Sequence, residues 1–345
     1  MIRQAVILAG GRGTRMWPLT AGHPKALLPV AGLPFLEMQL RWLASTGVSE
    51  VLIAVGEEQE ELWRAYLAHH RHTEGPQVEI MVERQPLDTA GALVAIRDRL
   101  ADRFLVLNGD VILDVDPREL MDPGGAWRAR LMLTVVDDAS AYGAVSREGS
   151  NVTAFVEKPD VTGDIGATVN AGLYLMERSV LEELPEARLS LERDVFPRLA
   201  SAGELSAVVG DGPWIDIGTA QRYIEAHGIV AAGRTKLHDL GHEDGELLTT
   251  DAGSWAWIGP GATVDPTARL DRAVVLDGAT IGSGVEVCDS VVGWGAHVKD
   301  GAVVAEHSLV GEGSVIGAGC ELRHGVRIAP GTELGTRAVT FSAPT

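Results

Sequence analysis

From residue 258 onward an aliphatic side chain recurs every six residues. The series is Ile258, Val264, Leu270, Val275, Ile281, Val287, Val292, Val298, Val304, Val310, Ile316, Leu322, Ile328 and Leu334, with two steps shortened to five. Gly follows directly at Ile258, Ile281, Val292, Val310 and Ile316. A period this short cannot be helical. It fits a hexapeptide repeat in which each aliphatic residue fills the inside of a triangular coil, three to a coil. The fourteen positions then make between four and five coils, so residues 251–345 are read as a left-handed parallel β-helix. Such a stack leaves an open end or edge that invites pairing with another subunit. Self-association, as a homo-oligomer, is therefore its expected role.

Residues 1–232 have a different texture. Short apolar runs at Ala5–Ala9, Val51–Val55, Val78–Val82, Phe104–Leu107 and Leu131–Val136 read as strands. Helix-like stretches lie between or after them at Phe35–Ser45, Glu57–Ala68, Ala90–Leu100 and Ala220–Val230. Alternation of this kind predicts an α/β domain, a Rossmann-like and mainly parallel sheet flanked by helices. Ligands of such sheets sit at the carboxyl ends of the strands, so the loops that follow strands hold the candidate site. Residues 233–250 are polar and turn-rich and are read as a linker.

A hydrophobic fraction of 46% is ordinary for a globular protein, and no apolar stretch approaches membrane-spanning length. The first apolar run is too short for a signal peptide. Two cysteines, Cys288 and Cys320, argue against a disulfide framework and fit a reducing cytoplasm. A net charge of −19 argues against nucleic acid or an anionic membrane as partner. A small anionic substrate is compatible with that charge only where Lys and Arg cluster locally.

They cluster at one place. The first strand runs into Leu8-Ala9-Gly10-Gly11-Arg12-Gly13-Thr14-Arg15-Met16-Trp17-Pro18-Leu19-Thr20, and Pro24-Lys25 follow. Three glycines let a backbone approach a triphosphate and present N–H groups to it, while Arg15 and Lys25 supply charge. The third glycine of a dinucleotide fingerprint would fall at Met16, and no Gly-Lys-Ser/Thr is present, so neither that motif nor a P-loop applies. Alone, the loop is equally well a glycine turn with incidental basic residues.

The loop together with Pro24-Lys25 resembles the signature of the sugar-1-phosphate nucleotidylyltransferases, and the resemblance continues. Pro86-Leu87-Asp88-Thr89-Ala90-Gly91-Ala92-Leu93 is similar to the family's base-side segment, and Asn108-Gly109-Asp110-Val111 to its metal-binding turn. Tyr142-Gly143-Ala144-Val145, Glu157-Lys158-Pro159, Asn170-Ala171-Gly172-Leu173-Tyr174 and Ser190-Leu191-Glu192-Arg193-Asp194 resemble its sugar-side motifs. Trp214-Ile215-Asp216-Ile217-Gly218-Thr219 resembles the last motif, which brings a second aspartate. The repeat tail also occurs in several branches of the family. In motifs the chain is closest to the mannose-1-phosphate guanylyltransferase branch.

The resemblance implies transfer of a nucleotidyl group from an NTP to a sugar 1-phosphate, with release of pyrophosphate. Such a reaction needs positioning and charge neutralisation more than covalent chemistry, and no nucleophilic triad is evident. Asp110 and Asp216, hard oxygen ligands, are implied to hold Mg²⁺. Arg15 and Lys25 would stabilise the breaking triphosphate. The implied nucleotide contacts are Leu8, Ala9, Gly10, Gly11, Gly13, Thr14, Arg15, Gln85, Asp88, Thr89 and Asp110. Lys158 would hold the sugar phosphate, with Gly143, Glu157, Asn170 and Glu192 around the sugar.

Blander readings stand beside these. Asp110 also suits a turn, Glu192 a helix start after Ser190, and Glu157 and Lys158 an exposed strand end. Asp216 lies between two isoleucines, where an unpaired carboxylate is costly and a metal would relieve the cost. GTP is favoured over dTTP. Gln85 and Asp88 depart from the branch at positions where it carries Glu and Gly, so Asp88 would either crowd the base or accept from guanine. Two other classes compete with the enzyme reading: an inactive scaffold subunit, which should lack one of the charged residues, and an acyltransferase using His297, His307 or His324 of the tail. His69, His70 and His72 read as a solvated helix face, and His238 and His242 as linker residues.

Overall fold

A computed structural model describes residues 2–69, 75–121, 126–137, 140, 142–157, 167–233, 245–249 and 253–340. The apolar run Gln4–Leu8 lies inside a nine-stranded sheet, fully buried up to Ile7. Across the sheet the order is Gln77–Glu83, Glu50–Gly56, Gln4–Leu8, Arg103–Asn108, Ala167–Glu177, Ala129–Val136, Leu205–Val209, Asn151–Glu157 and Gly143–Glu148. The first four strands are parallel, as the alternation with helices requires.

The other half corrects the expectation of a mainly parallel sheet. Ala167–Glu177 runs antiparallel to both its neighbours, and of the remaining strands only Leu205–Val209 finds a parallel partner, in Ala129–Val136. Hairpin connection is the cause: Gly143–Glu148 and Asn151–Glu157 are joined through Gly149, whose φ of 61° suits a tight turn. Single pairings, Val169 with Ala144 and Asn151 with Ser206, close these five strands into a ring.

The helix expected over 90–100 also divides, into a helix Asp88–Ala95 and a 3-10 turn Arg97–Arg99. The buried Gln4 amide holds the end of that turn. Its nitrogen donates to the Arg99 carbonyl at 2.9 Å, and its oxygen accepts from the Ala101 N–H at 2.6 Å.

The chain separates into two compact units that do not follow its order: residues 1–11 with 39–214, and residues 12–38 with 215–345. In the first, Val6, Phe104, Val106, Leu131, Tyr174 and Phe196 belong to the core of the sheet.

In the second unit, the six-residue series becomes a stack of short parallel strands. Val264 pairs with Ile281, and Ile281 with Val298, seventeen residues apart. Val298 pairs with Ile316, and Val310 with Ile328, eighteen apart. Three six-residue steps make eighteen, and each five-residue step, Leu270 to Val275 and Val287 to Val292, shortens its coil by one. Most of the series is buried, with Val264, Leu270 and Leu334 half-buried against the same cluster.

The helix Ala220–Ala231 belongs to this unit and is capped by the Thr219 hydroxyl, which accepts from Arg222 N–H. It rests on the stack through Trp255. A Cβ at Gly228 would lie 2.9 Å from Trp255 Nε1, and the His227 ring lies parallel to the Trp255 ring at 6.3 Å. His227 is buried, its Nδ1 2.9 Å from the Tyr223 carbonyl oxygen, which can only accept. Burial pushes its pKa down to about 4.

The folded protein therefore takes up this proton only near pH 4, whereas the unfolded chain takes it up near 6.5. Between those limits the unfolded state binds more protons, so stability falls as pH drops through the window. At about 1.4 kcal/mol per unit the loss is at most roughly 3 kcal/mol. Urea midpoints at pH 7 and pH 5 should show a smaller pH difference in His227→Gln than in the parent protein. An equal difference would mean that His227 is not the titrating group.

Candidate active site

Leu8 pairs with Asn108 in the adjacent parallel strand, so two loops leave the sheet side by side. Gly109 N–H donates to Leu8 O at 2.9 Å, and a Cβ at Gly109 would sit 2.9 Å from that same oxygen. Only glycine fits there, packed against Leu8 O and Ala9, and Asp110 follows it in the turn, half-buried. On the other side Gly10 faces Glu83: a Cβ would lie 2.8 Å from its Oε1. Glu83 was missed in the sequence. Burial, then the charge of Asp88, pushes its carboxyl above the usual range, against the Leu87 N–H that donates to it.

The base-side segment explains its own residue types. Ala90 and Gly91 N–H both donate to Leu189 O, and a Cβ at Gly91 would lie 2.5 Å from Ala187 O. Asp88 stands at φ 63°, the left-handed region that favours glycine and that Asp tolerates better than most. Its Oδ1 accepts from Thr89 N–H at 2.9 Å and its Oδ2 pairs with Arg193 Nη2 at 2.6 Å. The carboxylate expected to accept from guanine is thus engaged within the protein. Gln85 is exposed.

From Thr89 a hydrogen-bond chain crosses to the sugar-side motifs. Its hydroxyl donates to Glu192 Oε2 at 2.7 Å, which also accepts from Ser190 Oγ at 2.8 Å. Tyr174 OH reaches Glu192 Oε1 at 3.5 Å, and Asn170 Nδ2 donates to Tyr174 OH at 2.8 Å. Tyr174 is fully buried, and burial, then the charge of Glu192, raises its pKa well above the ordinary phenol value, so it remains a donor. Ser190 does cap the following turn, its hydroxyl accepting from Arg193 N–H. Glu192 lies in the first turn after that cap, as the helix-start reading has it, and its carboxylate also turns toward Thr89. Asn170 opens a bulge against Ala129–Val136 in which Gly172, at φ 78°, lies against Asn108. Gly143 pairs with Glu157 across two strands, and a Cβ on it would lie 3.0 Å from Glu157 Oε2. Lys158, His70, His72, His238 and His242 lie outside the described residues.

The second unit holds the rest of the signature. Gly13, at φ 60°, turns the chain, and its carbonyl accepts from Thr20 Oγ1 at 3.0 Å. Met16 and Leu19 are buried, which leaves Gly11, Thr14 and Arg15 exposed. A Cβ at Gly13 would lie 3.2 Å from the Lys25 Cβ. Within the same unit, a Cβ at Gly218 would lie 3.3 Å from Arg15 Nη2 and 2.7 Å from Asp216 Oδ1. Arg15 and Asp216 thus share the bare face of one glycine.

Asp216 departs from expectation in its partners. Its Oδ1 accepts from Gly218 N–H at 2.6 Å and its Oδ2 from Arg222 Nη1 at 2.9 Å, so the desolvation cost is offset without a metal. Arg222 could not be found by sequence spacing alone. The side chain is 15% exposed, and a carboxylate oxygen is the hard donor type that a hard cation takes. Among the described residues no group of three or more His, Cys, Asp or Glu is arranged to hold a metal. In the tail, His297 is exposed, His307 lies in a left-handed turn, and His324 Nδ1 pairs with Glu306.

A family model described as Nucleotidyl transferase matches residues 4–233, and one described as GMPPB C-terminal domain matches residues 249–339. The chain is 39% identical over 229 residues to a probable mannose-1-phosphate guanylyltransferase 1 of Oryza sativa subsp. japonica, covering 64% of this chain and 63% of the relative. It therefore spans less than two thirds of that relative's length. It is 35% identical over 266 residues to the mannose-1-phosphate guanylyltransferase of Mycobacterium tuberculosis (strain ATCC 25618 / H37Rv), covering 75% and 72%. Among solved structures, HddC of Yersinia pseudotuberculosis is similar at TM-score 0.57 and 27% identity, covering 66% of this chain and 98% of that one. HddC is also known complexed with GMP-PN.

Replacing a helical glycine by alanine ordinarily stabilises by about 1 kcal/mol. At Gly91 the sign should reverse, because the new methyl meets the Ala187 carbonyl at 2.5 Å and backbone must move. Gly91→Ala should lose on the order of 1–3 kcal/mol in urea unfolding. A gain in stability would refute the close packing.

Proposed function

The chain belongs to the nucleotidyl transferase family, and from that membership we propose that it condenses an NTP, GTP in preference, with a mannose-1-phosphate-like sugar phosphate. The products are an NDP-sugar and pyrophosphate. The observation that carries this reading is the chain from Thr89 through Glu192 and Tyr174 to Asn170, which ties the base-side segment to the sugar-side motifs. The names of the rice and mycobacterial relatives support the choice of guanylyl transfer.

In this reading Gly10, Gly11 and Gly13 let the loop lie close along the triphosphate, and the exposed Arg15 and the nearby Lys25 bring charge to it. The sugar phosphate oxygen attacks the α-phosphorus in line while pyrophosphate leaves. Glu192 Oε1, which among the described residues has the long contact to Tyr174, accepts from a sugar hydroxyl. Asn170, fixed by Gly172 N–H on its oxygen, presents its amide nitrogen beside it. Glu157 adds a further acceptor, and Lys158 opposes the charge of the incoming phosphate. Asp110 and Asp216 would hold Mg²⁺, which when bound supplies charge neutralisation on the phosphates.

We further propose residues 1–232 as the catalytic domain, 233–250 as linker and 251–345 as a left-handed β-helix through which the protein self-associates. Among the described residues no helix is long and apolar enough to cross a membrane, and a cytoplasmic location fits the cysteine usage.

Pyrophosphate release across a panel of NTPs and sugar 1-phosphates tests the reading. Absence of turnover with every pair would overturn it, and preference for dTTP would overturn the base assignment. Asp110→Asn and Asp216→Asn should each lower turnover by about a hundredfold or more, from lost charge stabilisation, with thermal stability retained. Near-normal turnover in either variant at saturating Mg²⁺ would remove that aspartate from the metal. Lys25→Ala should chiefly lower turnover, whereas Lys158→Ala should chiefly raise the KM for sugar phosphate. The opposite pattern would exchange their roles.

A further inference from the structure

Lys25 lies between two anchors, both seated on the C-terminal part of the chain. Two residues before it, the His23 ring sits 4.3 Å from the Trp294 ring at an angle of 33°, and its Nε2 lies 3.4 Å from Glu312 Oε2. Trp294 and Glu312 occupy neighbouring coils, joined where Gly313 N–H donates to Trp294 O at 2.8 Å. Four residues after Lys25, the Pro29 carbonyl accepts from Tyr223 OH at 2.5 Å. Tyr223 is fully buried on the helix that rests on Trp255 of the stack, its ring edge-on to His227 at 4.7 Å. Between the anchors the chain makes a single 3-10 turn, Lys25–Leu27, closed by Leu27 N–H to Pro24 O and Leu28 N–H to Lys25 O. A turn with both ends fixed leaves the Lys25 backbone little freedom.

We propose that the coil stack positions the signature loop for turnover, with Trp294 and Glu312 as positioning residues that act on Lys25 through His23. The proposal rests on the transferase reading above and gives the tail a task besides self-association. The energetics favour orientation over stability. His23 and Glu312 are 39% and 56% exposed, and an ion pair that open contributes little to folding. Misplacing a phosphate-facing cation by about 1 Å, in contrast, can cost up to a hundredfold in rate. Contacts of this size suit an element whose purpose is to hold a loop in place.

Trp294→Ala, His23→Ala and their double variant, made in the full chain, test it. Each single change should lower turnover about tenfold while both KM values stay within about twofold. The double variant should be no worse than either single one, because all act through one contact. Trp294→Phe, which keeps a ring against His23, should restore most of the rate. Hydrogen exchange supplies a readout independent of activity: in Trp294→Ala the amides of residues 20–28 should exchange faster while those of the coils keep their protection. Unchanged exchange at 20–28, or loss of protection throughout the coils, overturns the tether. Unchanged turnover, or additive losses in the double variant, overturns the positioning role. If the unsubstituted protein turns over no NTP and sugar 1-phosphate pair, the transferase reading fails and the catalytic role of the tether falls with it. The exchange experiment still decides whether the stack holds the loop.

Discussion

Burial of one aliphatic residue in every six holds the second unit together, and the rest of that unit is built on the frame it makes. Each coil contributes three such residues, and no coil can bury its own without a neighbour above or below. The pairing of Val298 with Ile316 and of Val310 with Ile328 repeats one backbone register through the stack. Regular stacking yields a rigid side wall, and on that wall stand Trp255, Trp294 and Glu312. The helix Ala220–Ala231 meets Trp255 through His227, and His23 of residues 12–38 meets Trp294 and Glu312. A repeat that looks like a separate appendage in sequence thus shares one compact unit with Arg15, Lys25 and Asp216.

Charge in the candidate site is managed by pairing each acid with a donor fixed elsewhere. Asp216 is held by Arg222 and by the Gly218 N–H, Asp88 by Arg193 and the Thr89 N–H, and Glu192 by two hydroxyls. In a chain of net charge −19 this matters. These carboxylates are already paired or hydrogen-bonded within the protein, and Arg15 is an exposed positive charge in the signature loop. Glu83 follows another course: burial raises its pKa against the Leu87 N–H that donates to it.

Much of this was legible in the sequence because it follows from spacing. The six-residue period gives the seventeen- and eighteen-residue registers directly, and the parallel half of the sheet follows from strands alternating with helices. Membership of the nucleotidyl transferase family was legible through the run of motifs that resemble it, where the glycine loop alone left a bland turn equally open. What could not be read is pairing over long separations. Thr89 and Glu192 are 103 residues apart and His23 and Glu312 are 289 apart, and no local pattern links them. The antiparallel half was hidden for a related reason. Its hairpin strands Gly143–Glu148 and Asn151–Glu157 are only partly buried, so their apolar pattern is weak. The 3-10 turn after Ala95 is held at its end by Gln4, ninety-five residues from Arg99.

Asp88 brings these threads together. In sequence it is a departure, an acid where the resembled branch has glycine, and it invites a reading in which the carboxylate meets the base. The backbone shows why glycine suits the position: φ is 63°, and a side chain there ordinarily costs on the order of 1–2 kcal/mol. Asp meets that cost with local bonds. Its Oδ1 takes the Thr89 N–H at the helix start, and its Oδ2 pairs with Arg193, which stands next to Glu192 in sequence. Thr89 in turn donates to Glu192. The substitution thus preserves the turn that glycine would allow and adds a second link between the base-side segment and the Ser190–Asp194 motif. The new charge strengthens the framework of the site, because the carboxylate is spent on the Thr89 N–H and Arg193.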